Sequence, residues 1–266
     1  MGFGKAGIVG VCWLACAAAA MPAAATPTNF VVNGGFEQTT IASGAPLYGS
    51  YQMNTTNVVG WSSGTVAGNY TDGYNFLYAS SPTSSSGTTA DTTGAFTPEY
   101  NQYLQLWGPN DGSTNGLTTS PNGGNFVGAD GAYQTGAITQ TITGLAVGST
   151  YVLTFNWAGA QQQGFRGVNS EGWLVAFGAD NYDTGYIQNT DMGFTGWKTA
   201  AVMFTAKQSN QVLSFLAKGL PAGVPPFSLL DGVSIVVPEP STWVLMMGGV
   251  VGLAGMLRLR RRVTAG

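Results

Sequence analysis

The clearest secondary-structure signal in the chain is the run Tyr151-Val152-Leu153-Thr154-Phe155-Asn156-Trp157. Large apolar side chains stand at every second position of this run. A period of two over seven residues predicts a β-strand with one buried face. The same alternation recurs around Trp173, Phe204 and Phe215, and glycines separate the runs. Repeated strands with turns between them predict antiparallel β-sheets.

Working outward from this run, residues 26–237 are predicted to form one all-β domain, an antiparallel jelly-roll β-sandwich. The first half of this segment is less regular. Short strands are predicted there at Phe30–Val32, Tyr103–Trp107 and Asn125–Ala129. Residues 79–96 are rich in Ser, Thr and Gly, which predicts a flexible loop within the domain.

The composition excludes several kinds of chemistry. The chain has 266 residues and no histidine, which excludes Ser-His-Asp nucleophiles and imidazole zinc sites. The only cysteines are Cys12 and Cys16, so residues 26–237 contain no thiol. That segment has four basic against eleven acidic residues, a net charge of −7. A negative domain repels polyanions, so nucleic acid is not an expected partner.

Residues 1–25 have the pattern of a secretory signal peptide. Lys5 precedes an apolar run from Ile8 to Ala20, and Ala23-Ala24-Ala25 supplies small residues for cleavage. The alternative is an uncleaved membrane anchor, for which the apolar run is short.

The C-terminal segment combines three features in a fixed order. Val237-Pro238-Glu239-Pro240-Ser241-Thr242-Trp243 comes first, and an uncharged run from Val244 to Leu257 follows. The cluster after it consists of Arg258, Arg260, Arg261 and Arg262. Residues 243–257 predict a short transmembrane helix of roughly 22 Å, at about 1.5 Å per residue. The arginines are expected on the cytoplasmic side, which leaves the domain outside the inner membrane.

Residues 238–262 closely resemble the PEP-CTERM sorting signal of Gram-negative bacteria. This resemblance implies recognition by a membrane-embedded exosortase, which is expected to cleave at Pro238-Glu239-Pro240. It also implies transient anchoring in the inner membrane and delivery to the cell surface or the medium, often alongside exopolysaccharide. The alternative is an ordinary single-pass tail anchor, since apolar runs with arginine flanks are common.

A second resemblance covers most of residues 29–236 and is carried by three short motifs. These are Asn33-Gly34-Gly35-Phe36-Glu37, the stretch 142–151 and Leu229-Leu230-Asp231-Gly232-Val233. Together they resemble galactose-binding-like jelly rolls, which include carbohydrate-binding modules. In that family the first and last motifs lie side by side, and several members hold a structural calcium ion there. This chain has Asp-Gly-Val where many relatives have Asp-Asp-Val, so one potential ligand is missing.

Glu37 and Asp231 are the candidate calcium ligands, together with backbone oxygens near Asn33. In a regular strand Asp231 would share the apolar face of Leu229 and Val233, where an ionised carboxylate needs a cation or several donors. Two alternatives remain open at this point. A bulge could turn Asp231 outward, or the carboxylate could cap nearby amides.

Aromatic residues in polar loops are the candidate sugar ligands, because the C–H faces of sugars pack on aromatic rings. They are Tyr70, Tyr74, Tyr182 and Tyr186. Arg166, the only arginine of residues 26–237, lies in the polar loop 161–169 and is the fifth candidate. The alternative is that these side chains decorate loops without binding a ligand.

The leading functional hypothesis is an exported, non-catalytic surface protein that binds or organises extracellular polysaccharide. A structural surface protein without a sugar ligand is the first alternative. A secreted glycosidase is the second, and it would need a carboxylate pair drawn from Glu99, Glu171, Asp180 and Asp183. The separation of such a pair defines the mechanism, and sequence does not give it.

Overall fold

The computed structural model describes residues 28–40, 52–64, 72–78, 95–97, 102–109 and 113–238. The predicted signal peptide 1–25, Tyr70 and the sorting segment beyond Pro238 lie outside these ranges. None of the described ranges contains a helix with the length and apolar character that a membrane crossing needs. The predicted loop 79–96 also lies mostly outside them. Its end is corrected, because Ala95–Thr97 forms a strand.

Thirteen strands lie within the described ranges. They are β1 Ser62–Ser63, β2 Asn75–Tyr78, β3 Ala95–Thr97, β4 Gln102–Leu104, β5 Phe126–Asp130, β6 Ile138–Ile142, β7 Thr150–Gln161, β8 Asn169–Phe177, β9 Asp180–Asp183, β10 Ile187–Asn189, β11 Lys198–Thr205, β12 Gln211–Leu220 and β13 Pro226–Val236.

The strands form two main antiparallel sheets. The first sheet has the order β1-β6-β12-β8-β10, and β9 also pairs with β8. The second sheet has the order β11-β7-β13-β5-β2, and β3 and β4 form a separate pair. The non-sequential order of neighbours arises because successive strands cross between the sheets. This arrangement confirms the predicted all-β sandwich of jelly-roll type.

The core lies between the sheets and is filled by the alternating residues that predict the fold. Phe155 of β7 meets Phe215 of β12 edge to face, with ring centroids 5.1 Å apart. Trp173 of β8 also contacts Phe215, and its indole nitrogen donates to the Leu229 carbonyl of the second sheet at 3.0 Å. Because a buried Trp needs a partner for its N–H, this bond both satisfies the indole and links the sheets.

Two of the three weaker strand predictions need correction. Phe30–Val32 is not a strand. The Phe30 amide donates to the Ile235 carbonyl at 2.9 Å, but the amides of Val31 and Val32 donate to the side chains of Asn29 and Gln140 and not to a neighbouring strand. The strand predicted at Tyr103–Trp107 lies at Gln102–Leu104 and ends before Trp107. The third prediction is confirmed with a one-residue offset, as Phe126–Asp130.

The two ends of the sandwich are distinguished by the residues of β7 and β13 that pair there. Val236, the last residue of β13, pairs with Val152 near the start of β7, and we call this the tail end. Pro226 pairs with Gln161 at the opposite end, which we call the loop end. Ten residue steps at about 3.3 Å separate the two ends of β13 by roughly 30 Å.

Candidate functional site

A pocket with a volume of about 380 Å³ opens at the loop end. This volume is within the range of small-molecule sites. Its lining is aromatic on one side and mixed on the other: Tyr74, Asp130, Ala132, Tyr133, Gln162, Phe165, Ala222, Gly223 and Pro225. These residues follow or precede strands β2, β5, β7 and β13, whose ends meet here. We call this site the aromatic pocket.

Three rings give the aromatic pocket its character. Tyr74 and Tyr133 meet edge to face, with ring centroids 5.2 Å apart. Tyr74 also packs on Phe76 of the second sheet at 4.6 Å, so its ring is partly a core residue. Tyr133 and Phe165 are 43% and 39% exposed, which leaves ring surface available to a ligand.

Asp130 positions Tyr133. Its Oδ1 accepts hydrogen bonds from the amides of Ala132 at 2.8 Å and Tyr133 at 3.1 Å. The carboxylate is buried, and burial raises its pKa to about 6 although the two amide bonds lower it. Asp130 therefore closes the turn that carries Tyr133 and is a positioning residue of the pocket.

The loop that carries Phe165 is fixed from two sides. The indole nitrogen of Trp107 donates to the Phe165 carbonyl at 2.8 Å. Arg166 forms a bidentate ion pair with Asp191, whose Oδ1 also accepts the Gly167 amide at 2.6 Å. The guanidinium lowers the pKa of Asp191 and the carboxylate raises the pKa of Arg166. Arg166 thus lies beside the pocket, where it holds the loop.

The structure separates the predicted sugar-binding residues. Tyr74 lies in the aromatic pocket, whereas Tyr182 lines a second cavity of about 410 Å³ between β9 and β11. Tyr186 is exposed, and Lys218 Nζ lies 4.3 Å from its ring centroid. Tyr70 lies outside the described residues. The sequence analysis did not single out Tyr133 or Phe165, although the Asp130-Gly131 turn after a strand was a usable signal for the first.

Asp231 lies in a second polar cluster, away from the aromatic pocket. It is fully buried, its Oδ2 accepts a hydrogen bond from the Ser120 hydroxyl, and its Oδ1 makes none. An ideal Cβ at Gly35 would lie 3.8 Å from both Asp231 Oδ1 and Glu37 Cγ. The first and last motifs therefore converge as the resemblance implied, and we call this group the Glu37–Asp231 cluster.

A β-bulge determines the direction of Asp231. The register of β13 against β7 shifts between Asp231 and Ser234, where Gly232 has a φ of +59° that favours glycine. Asp231 pairs with Asn156, which lies on the outer face of the second sheet. The expectation that Asp231 shares the face of Val233 is therefore wrong. The bulge turns it outward, but the segment around Ser120 and Asn122 buries it.

The electrostatics of the cluster suit a bound cation. Burial raises the pKa of Asp231 to about 7, hydrogen bonds to Ser120, Gly232 and Asn122 lower it, and the Glu37 charge raises it. Burial also raises the pKa of Glu37, while the Asn125 amide, at 2.6 Å from its Oε1, lowers it. Two adjacent carboxylates with raised pKa values would each be stabilised in the ionised form by a cation.

The residues present fit calcium by their chemistry. Calcium takes hard oxygen ligands, and the cluster offers Glu37, the unpaired Oδ1 of Asp231 and the side chains of Ser120 and Asn122. Two carboxylates are few for this ion, and the described ranges hold no group of three or more acidic, His or Cys residues suited to a metal. Backbone oxygens and water must complete the shell.

If calcium occupies the Glu37–Asp231 cluster, its removal should lower the stability of the domain. A ligand present at 100 times its Kd adds about 2.7 kcal/mol to the free energy of unfolding. At roughly 2–4 °C per kcal/mol for a domain of this size, chelation should lower the Tm by several degrees. Asp231→Ala should abolish this sensitivity, whereas Asp180→Ala, at an exposed ion pair, should retain it. Superimposable melting curves of the wild type with and without chelator would remove the calcium site.

Comparison with solved structures found carbohydrate-binding modules among the similar chains. TmCBM61, in complex with β-1,4-galactotriose, is 13% identical, with 79% of this chain and 99% of that chain covered and a TM-score of 0.35. A family 4 carbohydrate-binding module is 13% identical, with 78% of this chain and 99% of that chain covered and a TM-score of 0.31. The CBM22-1–GH10 modules of Clostridium thermocellum xylanase 10B, in complex with xylohexaose, are 10% identical. In that comparison 80% of this chain and 29% of that chain are covered, and the TM-score is 0.34.

No curated protein matches this chain. A family model matches residues 236–262, the segment in which the Pro-Glu-Pro motif, the apolar run and the arginine cluster follow one another. This chain therefore carries a PEP-CTERM protein-sorting motif, which indicates that it is exported.

Proposed function

We propose that this chain is a non-catalytic surface protein whose sandwich domain binds extracellular polysaccharide in the aromatic pocket. The observation that carries the proposal is the pair of partly exposed rings, Tyr133 and Phe165, whose backbones hydrogen bonds hold in place. Loops that are already ordered lose little conformational entropy on binding, so the packing of their rings against a sugar contributes more to affinity.

The pocket chemistry favours a neutral glycan. Its described lining contains no lysine or arginine, and its one acidic group, Asp130, is buried against backbone amides. Arg166, the nearest loop cation, is engaged by Asp191. An anionic polymer would meet no counter-charge in this lining and would be repelled by a domain of net charge −7.

The position of the pocket supports a role in surface presentation. The sorting motif begins where β13 ends, at the tail end, whereas Pro225 and Gln162 place the pocket at the loop end, roughly 30 Å away. A domain held through residues 243–257 would therefore direct its pocket away from the membrane.

We propose that an exosortase of a Gram-negative host processes the chain at Pro238-Glu239-Pro240. We also propose that calcium binds at the Glu37–Asp231 cluster as a stabilising ion.

A glycosidase finds little support in the carboxylates available. Glu171 is fully buried, Asp180 pairs with Lys207, and Asp183 pairs with Lys218. Glu99 lies outside the described residues. None of the three described carboxylates lines the aromatic pocket.

A glycan array probed with the purified full chain tests the proposed binding. We expect signals on neutral oligosaccharides that disappear in the Tyr133→Ala, Phe165→Ala double variant. The matched control is Tyr186→Ala, which removes an even more exposed ring outside the pocket and should bind as the wild type does. A blank array with folded wild-type protein would favour the structural alternative, and release of a shortened sugar would favour the glycosidase.

A further inference from the structure

A third polar cluster is enclosed between the two sheets near the loop end. Asn169 and Glu171 stand two positions apart on β8, on the face that also buries Trp173. Their exposed fractions are 1% and 0%. Neither oxygen of Glu171 and neither polar atom of the Asn169 amide makes a hydrogen bond of normal geometry, although the Asn189 side chain lies close enough to Glu171 to lower its pKa. Buried polar atoms are normally paired, so four such atoms at two neighbouring inward positions of one strand need an explanation.

The surroundings show that the Glu171 side chain spans the sandwich. An ideal Cβ at Gly159 of β7, in the opposite sheet, would collide with Glu171 Oε2. Only glycine leaves that space free for the carboxylate. Asn189 of β10 lies opposite Asn169 and donates its amide N–H to the Gly193 carbonyl at 3.1 Å. Burial raises the pKa of Glu171 to about 8, and a hydrogen bond with the Asn189 side chain lowers it.

The cluster has more acceptors than donors and no counter-charge. Its unpaired atoms are three oxygens and one amide nitrogen. The ion pairs of the described ranges join lysine or arginine to Asp191, Asp180 and Asp183, so none of them reaches Glu171. An ionised carboxylate enclosed without a partner is strongly disfavoured. The carboxyl group of Glu171 must therefore either keep its proton, as its raised pKa allows, or be neutralised by a bound cation.

We propose that Glu171 and Asn169 hold a hard metal cation between the two sheets. The ligands are the two carboxylate oxygens of Glu171 and the side-chain oxygen of Asn169. An all-oxygen set without imidazole or thiolate suits sodium, potassium or calcium and does not suit zinc. This site is independent of the Glu37–Asp231 cluster and of sugar binding.

The cation would steady the segment that supports the Phe165 loop. Asn189 leads into residues 190–196, which lie against β7 through the Ala160–Phe194 bridge. In that segment the Met192 amide donates to Gln161 Oε1 at 2.7 Å, and Asp191 holds Arg166. A cation at Glu171 would therefore stabilise the segment 190–196, which contacts the Phe165 loop through Gln161 and Arg166.

Melting curves and metal analysis of the full chain test this site. The protein carries Asp231→Asn, to remove the other cluster, and is stripped of metal in choline chloride. Sodium, potassium and calcium chlorides are then added at equal ionic strength. We expect at least one of them to raise the Tm and to be retained at one equivalent. Glu171→Gln, which keeps the shape but removes the charge, should lose both effects.

Asn169→Asp keeps the experiment decisive should Glu171→Gln not fold. A second carboxylate in the site should tighten calcium binding by about tenfold or more, a gain of at least about 1.4 kcal/mol. A purely structural Asn169 would give no such gain. Equal Tm values in choline and in all three metals, or a Glu171→Gln variant that is as stable as its parent and retains the same metal, would overturn the proposal.

Discussion

Replacing Pro238-Glu239-Pro240 by three alanines should abolish delivery of the protein to the cell surface. The prolines are expected to hold the preceding chain extended and to deny it helical hydrogen bonds, which would present the peptide at Glu239 to a membrane enzyme. Alanines would let the helix predicted for residues 243–257 extend into this segment. We expect the full-length form to accumulate in the inner membrane, with nearly all surface material lost.

Immunoblots of fractionated cells and mass spectrometry of surface protein measure this effect. The wild-type surface form should lack everything after roughly Pro240. Ser241→Ala is the matched control, since it keeps both prolines and Glu239 and should be sorted normally. Deleting Arg258 to Arg262 should also trap the protein, because the cluster fixes the helix from the cytoplasmic side. Intact Arg262 on wild-type surface protein would instead indicate a plain tail anchor.

Without metal, the free energy of unfolding should fall by several kcal/mol as the pH rises from about 5 to 8. Burial raises the pKa of Asp130 to about 6, of Asp231 to about 7 and of Glu171 to about 8. In this window the unfolded chain has released these protons and the folded chain retains some of them. Stability therefore declines with pH, because each tenfold difference in proton affinity between the folded and unfolded chain corresponds to about 1.4 kcal/mol per carboxyl group.

The opposite dependence applies at lower pH. Arg166 and Lys218 lower the pKa values of Asp191 and Asp183, so these ion pairs are lost as the pH falls below about 4. Stability in chelator and choline should therefore peak near pH 4, between the loss of these ion pairs below it and the decline due to the buried carboxyl groups above it. Denaturant titrations at several pH values measure the profile. Glu171→Gln should reduce the decline of the free energy of unfolding at the upper end of the pH range. Calcium should reduce the part of that decline that arises from Asp231. A stability that rises steadily from pH 5 to 8 would contradict these assignments.

The sequence predicts the sandwich because apolar and polar residues alternate along its core strands, and this alternation indicates which face of each strand is buried. Tyr151 to Trp157 alternate strictly, and the structure buries the aromatic face of that run against Phe215. The proximity of Glu37 and Asp231 was also predictable, since the first and last motifs lie side by side in the galactose-binding-like jelly rolls that this sequence resembles. The absence of a strand at Phe30 was not, because the side chains of Asn29 and Gln140 accept the Val31 and Val32 amides in place of a neighbouring strand.

The rest of the candidate sites depends on tertiary contacts that no local pattern carries. Tyr133 and Phe165 are 32 positions apart, and they meet only because β5, β7 and β13 end together. Glu171 has an inward position in an alternating strand, but its unpaired state depends on Gly159 in the other sheet. The direction of Asp231 changed with a single bulge, for which Gly232 was the only sign in the sequence.

We expect the aromatic pocket to bind the polysaccharide that surrounds the host cell. Affinity electrophoresis of the purified full chain in neutral polysaccharide isolated from the surface of the source cells tests this binding. The wild type and Tyr186→Ala should both be retarded. Tyr133→Ala with Phe165→Ala should lose about tenfold or more in affinity, equivalent to about 1.4 kcal/mol. Equal retardation of the pocket variant and the wild type, or none of either, would contradict it.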